Sequence, residues 1–241
     1  MKRIRNIRNF TLVELLIVIS MIAILAAMLL PALNKTKQMG MTIRCAGNIK
    51  QLATGWQGYL VDSNGWMIPY RMPTSDASGV IKYNGTFWSK TLAVHVGEKQ
   101  LANTNYFNPK GVYSCPAFGE KIPYSGYAKK TLYEAGRTDY GMNRYGPGGE
   151  PGLGGEVTKI EKVIAPSRLI LFGDSITLNF DGRGGCSCIL RVSNNDARCI
   201  GFRHGSFSNF AFVDGHVDKM SLFSFQPPSN PSVYTLPWGN R

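Results

Sequence analysis

The sequence lacks the short motifs that mark the common enzyme sites. It contains no HExxH zinc-protease motif and no GxSxG nucleophile motif. Its glycine-rich segment, GPGGEPGLGG at residues 146–155, lacks the Lys-Ser/Thr ending of a phosphate-binding loop. The formal net charge of +12 favours anionic partners, but no nucleic-acid-binding motif accompanies it. The net charge is therefore the only feature of the sequence that supports nucleic acid as a partner.

Cysteine is also scarce, and its spacing does not match a common metal site. The chain has five cysteines, including Cys45 and Cys115, and an odd number leaves one thiol over if the others pair in an exported domain. Cys186 and Cys188 are separated by one residue rather than two, and no second pair follows at zinc-finger distance. We expect Cys199 to pair with one of these two. We predict neither a structural metal nor a cofactor.

Charge is missing from one long stretch near the N-terminus. Between Leu15 and Leu30 no residue is charged, and Ser20 is the only polar one. Counted from Phe10 the stretch has 21 residues. A helix of that length spans about 30 Å, the thickness of the hydrocarbon core of a bilayer. We predict a membrane span, in which Glu14 needs a cationic partner or an interfacial position.

The residues that precede the span carry four cations and no acid, at Lys2, Arg3, Arg5 and Arg8. This charge favours an orientation with the N-terminus in the cytoplasm. Lys35, Lys37 and Arg44 on the other flank weaken the bias. The apolar run is too long for a secretory signal peptide, and no small-residue cleavage site follows it. The span is therefore expected to stay in the protein as an anchor.

The helix is predicted to resume after Pro31 as an amphipathic segment. Apolar residues recur there at steps of three and four, which places them on one helical face. These residues are Met39, Ile43, Ala46, Ile49, Ala53, Trp56 and Leu60. The turn-forming sequence DSNG at residues 62–65 is expected to end the helix.

The C-terminal third is predicted to be rich in β-strands. Residues 168–173 (RLILFG) form an apolar run, and residues 209–213 (NFAFV) alternate as a half-buried strand does. Asp214-Gly215 predicts a two-residue type I′ hairpin turn before a returning strand. Residues 111–116 (GVYSCP) predict a further strand that a proline ends.

Four polar residues in this region are the candidates for a chemical site: Asp174, His204, Asp214 and His216. Such a set could hold a metal or carry out acid–base chemistry. The alternative is structural, with Asp214 in the turn and the His204 imidazole donating a hydrogen bond to its carboxylate. We predict the structural alternative, and hence no catalytic residue and no metal.

The N-terminal sequence FTLVE, followed by the apolar run, resembles the class III leader of type IV prepilins and type II secretion pseudopilins. The resemblance implies that a prepilin peptidase cleaves between Asn9 and Phe10 and methylates the new Phe10 amine. Glu14 falls at the family's fifth mature position, which is a glutamate. Pro31 falls at the twenty-second, often a proline that bends the helix. Asn9 departs from the family, whose peptidase prefers glycine before the cut.

The sequence RHGSFSNFAFVDGHV places nine residues between His204 and Asp214-Gly215, and it resembles the C-terminal motif of a subgroup of pilin-like proteins. The segments CAGNIKQL, YSCP, YGMN and PSR resemble the same subgroup in the same order. The resemblance implies a disulfide between Cys45 and Cys115. It also makes His204, Asp214 and Gly215 a structural motif.

These features together predict an α+β protein with one long N-terminal helix packed on an antiparallel sheet, as in pilins. The expected parts are a leader (1–9), a membrane and assembly helix (10–31), its amphipathic continuation (32–60) and an exported β-rich domain (61–241). The resemblance implies a structural subunit of a type IV pilus or type II secretion-like fibre in the inner membrane. Its partners would be other pilin-like subunits, the prepilin peptidase, an assembly platform and the lipid bilayer. Two alternatives are a membrane-anchored protein that binds DNA or polysaccharide without polymerising, and a membrane-anchored metal-dependent enzyme.

Overall fold

The computed structural model describes residues 11–75, 81–82, 87–98, 111–117, 138–143, 157–175, 188–190 and 200–221. Two α-helices lie in these ranges, α1 (Leu12–Asp62) and α2 (Trp88–Leu92). Three short 3-10 turns are also present, at Ala93–Val96, Ile160–Lys162 and Pro166–Arg168. The chain divides into two compact units, Met1–Gly40 and Met41–Arg241, and α1 contributes residues to both.

In the first unit, α1 is apolar and exposed on all sides. Its large apolar side chains between Leu12 and Leu33 are 47% to 80% exposed. Among the described residues, α1 is the one helix that is long and apolar enough to cross a membrane, by length and composition. The helix continues through Pro31. Because proline has no N–H, the carbonyl of Ala27 loses its helical donor at that point.

The C-terminus of α1 is closed by the turn sequence at residues 62–65, as predicted. Asn64 adopts a left-handed conformation with φ 53°. The Gly65 N–H donates to the Leu60 carbonyl at 2.8 Å, and the Asn64 N–H donates to the Val61 carbonyl at 3.3 Å. This is a Schellman motif, which satisfies carbonyls that the helix leaves without donors. The helix therefore ends at Asp62, two residues beyond the predicted boundary.

The described strands form two sheets. Their bounds are β1 (Thr74–Ser75), β2 (Ile81–Lys82), β3 (Tyr140–Asn143), β4 (Ile170–Asp174), β5 (Cys188–Leu190), β6 (Phe207–Phe212) and β7 (Val217–Ser221). β1 pairs with β2, and the larger sheet has the order β5-β3-β4-β6-β7. In the larger sheet β3, β4, β6 and β7 are antiparallel, whereas the edge strand β5 pairs with β3 in parallel.

The part of α1 in the second unit buries one face. Its buried residues recur at helical spacing and are Cys45, Ile49, Leu52, Ala53, Gly55 and Trp56. The predicted stripe is wrong at its beginning, because Met39 and Ile43 are 65% and 70% exposed. Cys45 is the first buried residue of the helix.

The larger of two hydrophobic clusters among the described residues joins this helical face to the sheet. Trp56 of α1, Trp88 of α2 and Phe172 of β4 are all fully buried in it. The rings of Trp88 and Phe172 stack with their centroids 4.7 Å apart. The packing confirms the predicted α+β arrangement, a long N-terminal helix against an antiparallel sheet.

Residues 111–117 form turns, so the strand predicted at 111–116 is wrong. The Ser114 N–H donates to the Gly111 carbonyl at 3.1 Å. The Cys115 N–H donates to the Asp139 carboxylate at 2.7 Å. The backbone donors of this segment therefore go to a turn and a side chain, and not to a neighbouring strand.

The predicted hairpin between β6 and β7 is confirmed, but its turn is not of type I′. The Gly215 N–H donates to the Phe212 carbonyl at 2.9 Å, and the Phe212 N–H donates to the His216 carbonyl at 3.0 Å. Gly215 has φ 88°, whereas Asn64 is the one described non-glycine residue with a positive φ. A type I′ turn needs a positive φ at both central residues. The connection is a three-residue loop with glycine in the left-handed position, another common hairpin geometry.

Candidate functional site

The N-terminus of α1 carries a capping box. The Thr11 hydroxyl oxygen accepts a hydrogen bond from the Glu14 N–H at 3.2 Å. In return, Glu14 Oε2 accepts from the Thr11 N–H and the Thr11 hydroxyl, each at 2.8 Å. The pattern Thr-x-x-Glu before an apolar run predicts such a box. The sequence FTLVE contains this pattern, but the capping role of Glu14 was not predicted. Asn9 and Phe10 lie outside the described residues.

Four side chains with metal-binding chemistry meet inside the second unit. Their ligand atoms are two thiol sulfurs, a carboxylate oxygen and an imidazole nitrogen, all within 4.8 Å of one another. The members of this Cys–His–Asp cluster are Cys45, Cys115, Asp174 and His204. All four side chains are buried. By residue type, the cluster could hold a metal ion.

Each member of the Cys–His–Asp cluster comes from a different element. Cys45 lies on α1, and Cys115 lies in the turn segment 111–117. Asp174 is the last residue of β4, and His204 precedes β6. The cluster therefore joins the helix to three separate segments of the same unit.

Three distances define the cluster. Cys45 Sγ lies 3.0 Å from Asp174 Oδ1, where the thiol donates to the carboxylate. Cys115 Sγ lies 3.7 Å from His204 Nε2. The same imidazole nitrogen lies 3.5 Å from Asp174 Oδ2. His204 Nε2 thus faces a sulfur and a carboxylate at once.

Groups outside the cluster hold its imidazole and carboxylate in place. His204 Nδ1 lies 3.2 Å from the Thr42 hydroxyl oxygen, one turn before Cys45 on α1. Asp174 Oδ2 accepts a hydrogen bond from the Asn209 N–H at 2.7 Å. These contacts leave Nε2 and Oδ1 facing the centre of the cluster.

The ionisable groups of the cluster perturb one another. The contacts with Cys45 and His204 and the charge of Arg203 lower the pKa of Cys115 to about 5, although burial opposes this shift. The hydrogen bond to Cys115, burial and the Asp174 charge raise the pKa of Cys45. Burial lowers the pKa of His204, but hydrogen bonds to Asp174 and Cys115 outweigh it and raise that pKa to about 9. A Cys115 thiolate beside a His204 imidazolium is therefore the favoured metal-free state.

The predicted hydrogen bond between His204 and Asp214 is wrong. Asp214 instead accepts from the His216 N–H at 3.1 Å and pairs with its ring nitrogen Nδ1. The six residues of β6 separate His204 from the turn, and a strand extends by about 3.3 Å per residue. Of the four candidate residues, the structure brings His204 to Asp174 and leaves Asp214 and His216 as a second pair.

Cys45 and Cys115 lie side by side in the cluster, and both are in the reduced form in the structure. The disulfide that the resemblance implies stays a prediction. Cys186 and Cys199, like the side chain of Cys188, lie outside the described residues. No statement about pairing among those three follows from the fold.

The fold and the exposed N-terminal helix define a pilin-like α+β protein. Residues 5–30 match the model described as the prokaryotic N-terminal methylation motif, which is typical of type IV pilins and pseudopilins. The motif implies processing by a prepilin peptidase and anchoring in a membrane before assembly. No curated protein and no solved structure matches the chain.

Proposed function

We propose that this protein is a structural subunit, a pilin or pseudopilin, of a type IV pilus or a type II secretion-like fibre. The observation that carries the proposal is the methylation motif at residues 5–30, on a helix whose apolar window is not buried at all. Apolar surface of this extent needs lipid or other apolar helices around it. A subunit that waits in the membrane and then enters a fibre meets both environments in turn.

The proposed location is the inner membrane, with the N-terminus in the cytoplasm and the sheet-containing unit in the periplasm. The four cations of the leader support this orientation. The peptidase would cleave between Asn9 and Phe10 on the cytoplasmic side and methylate Phe10. An assembly platform in the same membrane would then transfer the subunit to the fibre.

Apolar contact alone does not drive this transfer, because lipid tails are as apolar as leucine side chains. A polar pair within the membrane supplies a stronger preference for the assembled state. Glu14 is the one carboxylate in the span. Its Oε2 accepts two of the three hydrogen bonds of the capping box, and within the described residues no donor meets Oε1. We propose that Oε1 accepts the Phe10 amine of a neighbouring subunit.

Cleavage makes that pair possible, because the Phe10 nitrogen is a neutral amide until the leader is removed. After cleavage it is a cationic amine, and it stays cationic when methylated. The Glu14 carboxylate, which is costly in lipid, then becomes an attraction between subunits. Processing and assembly are coupled in this proposal.

The test uses the full chain in cells that contain an active prepilin peptidase. Mass spectrometry of the mature N-terminus should find methylated Phe10. Glu14→Ala should insert into the membrane normally, but should enter crosslinked assemblies at least about tenfold less, because breaking a buried ion pair costs about 2–5 kcal/mol. The matched control is Ser20→Ala, since the Ser20 hydroxyl donates to the Leu16 and Ile17 carbonyls of its own helix.

Two results would contradict the proposal. An intact Met1 in cells with active peptidase would show that the leader is not processed. Assembly of Glu14→Ala at the level of Ser20→Ala would show that Glu14 has no partner in a neighbouring subunit.

A further inference from the structure

The Cys–His–Asp cluster takes no part in the proposed membrane assembly. Its four side chains are buried inside the second unit, and they bring together segments that are far apart in the sequence. We propose that the cluster binds one zinc ion as a closed structural site. Thiolate and imidazole ligands favour zinc among the common divalent ions, and a carboxylate is an accepted fourth ligand.

The ligand atoms lie close enough together for one ion, since all four are within 4.8 Å of one another. Zinc lies about 2.3 Å from sulfur and about 2.0–2.2 Å from nitrogen or oxygen, so neighbouring ligand atoms of a tetrahedral site lie roughly 3.3–3.8 Å apart. Cys115 Sγ and His204 Nε2 are 3.7 Å apart, which is within this range. Cys45 Sγ and Asp174 Oδ1 are closer, at 3.0 Å, because a thiol proton lies between them. Replacing that proton by zinc would open this pair by about half an ångström.

The orientation of the imidazole also fits a ligand. Metal-bound histidines use one ring nitrogen for the ion and hold the other by a hydrogen bond. His204 Nδ1 is held by the Thr42 hydroxyl at 3.2 Å, while Nε2 faces Cys115 and Asp174. The Asn209 N–H holds Asp174 Oδ2 at 2.7 Å. The site is therefore supported from outside in the way that metal sites usually are.

The same orientation excludes a nucleophilic Cys-His-Asp triad. In such a triad the nucleophile and the acid lie on opposite ring nitrogens of the histidine. Here Cys115 and Asp174 both face Nε2. Cys115 and Asp174 are also completely buried, so a substrate has no access to them.

Zinc would compensate most of the buried negative charge. Two thiolates and the Asp174 carboxylate carry three negative charges, of which zinc would neutralise two. The Arg203 guanidinium is shared with the buried Asp139 carboxylate. Arg203 lies beside the cluster, where its charge acts on both Cys115 and Asp174. A buried charge needs this kind of compensation.

A disulfide is the competing use of the two sulfurs, because oxidised cysteines cannot bind zinc as thiolates. It leaves the buried Asp174 Oδ1 without its thiol donor, facing a sulfur that has no proton. Leaving one oxygen of a buried carboxylate without a donor is costly, even though Oδ2 keeps its hydrogen bond from the Asn209 N–H. A zinc ion would bind Asp174 Oδ1, so that this oxygen keeps a partner. For this reason we favour zinc over the disulfide.

The test begins with the full chain purified in detergent without chelator or reductant. Metal analysis should find about one zinc ion per chain, as for a four-ligand site. Removing zinc with a chelator should lower the melting temperature, and adding zinc should restore it. Cobalt(II) added to the zinc-free protein should give the thiolate-to-metal absorption band of a tetrahedral site.

The matched variants are His204→Ala and His216→Ala, since His216 lies outside the cluster. His204→Ala should lose the zinc and the melting shift, whereas His216→Ala should keep both. If His204→Ala does not fold, the cobalt band of the wild-type chain decides the question. Zinc-free wild-type protein, a mapped Cys45–Cys115 disulfide, or zinc retained in His204→Ala would each overturn the proposal.

Discussion

Two glycines of α1 test how closely the helix packs in the second unit. A Cβ added at Gly47 would meet no heavy atom within 4 Å. A Cβ added at Gly55 would overlap Val96 Cγ1 and would lie 3.2 Å from the His95 carbonyl oxygen. Gly55 is buried and Gly47 is exposed. The same substitution, glycine to alanine, should therefore have opposite effects at the two positions.

The expected magnitudes follow from helix propensity and packing. Alanine is favoured over glycine inside a helix by about 1 kcal/mol, so Gly47→Ala should raise the free energy of unfolding by that amount. Gly55→Ala has the same gain but overpacks the core, which costs about 1–3 kcal/mol. Its net effect should lie between neutral and about 2 kcal/mol destabilising. The overpacking cost separates the two variants by roughly 2–12 °C in melting temperature for a unit of this size.

Thermal unfolding of the full chain in detergent measures this difference in melting temperature between the two variants. Val96→Ala removes one of the overlapping groups, so Gly55→Ala should cost less in the Val96→Ala background, with a coupling of about 0.5–3 kcal/mol. The His95 carbonyl is backbone and cannot move as cheaply, so the relief should be partial. If Gly55→Ala stabilises the protein as much as Gly47→Ala does, the close approach of α1 to residues 93–96 is wrong.

Two further predictions use the same melting assay. Asn64→Val should lower the melting temperature, because the left-handed backbone costs most residues about 1–2 kcal/mol, and asparagine tolerates it better than a β-branched residue does. Asn64→Gly should not lower it, and equal effects of the two substitutions would contradict the Schellman motif. His204→Ala and Asp214→Ala should have effects that add within about 0.5 kcal/mol, since the two side chains do not touch. A coupling well above that value would restore the direct pair predicted from the sequence.

Many parts of the fold that depend on local signals could be predicted from the sequence, although the strand predicted at residues 111–116 is wrong. The apolar run, the turn at residues 62–65 and the hairpin between β6 and β7 each depend on neighbouring residues, and all three are present. For the hairpin, the error concerned the type of turn and not the strands. The alternation of NFAFV gave the strand, but only backbone geometry distinguishes a type I′ turn from a loop closed by Gly215.

The Cys–His–Asp cluster could not be predicted, because its assembly is a tertiary event. His204 and Asp214 are near in the sequence, and that proximity suggested a pair which the length of β6 prevents. The acid that meets His204 is Asp174, brought there because β4 and β6 are paired neighbours in the sheet. No spacing rule connects four residues contributed by a helix, a turn and the ends of two strands. The resemblance did indicate one contact correctly, since Cys45 and Cys115 are adjacent.

The cluster lies at the start of the buried part of α1, where polar contacts join the helix to the rest of the second unit. Thr42, Cys45 and Asn48 are spaced three residues apart on one helical face, and each contacts a polar group of the same unit. The Thr42 hydroxyl meets His204, and the Asn48 amide donates to the Ser114 carbonyl at 2.8 Å. From Ile49 onward, the buried residues of α1 are mainly apolar. The first turns of this segment are therefore attached by polar contacts at Thr42, Cys45 and Asn48, and Cys45 also packs in the hydrophobic core.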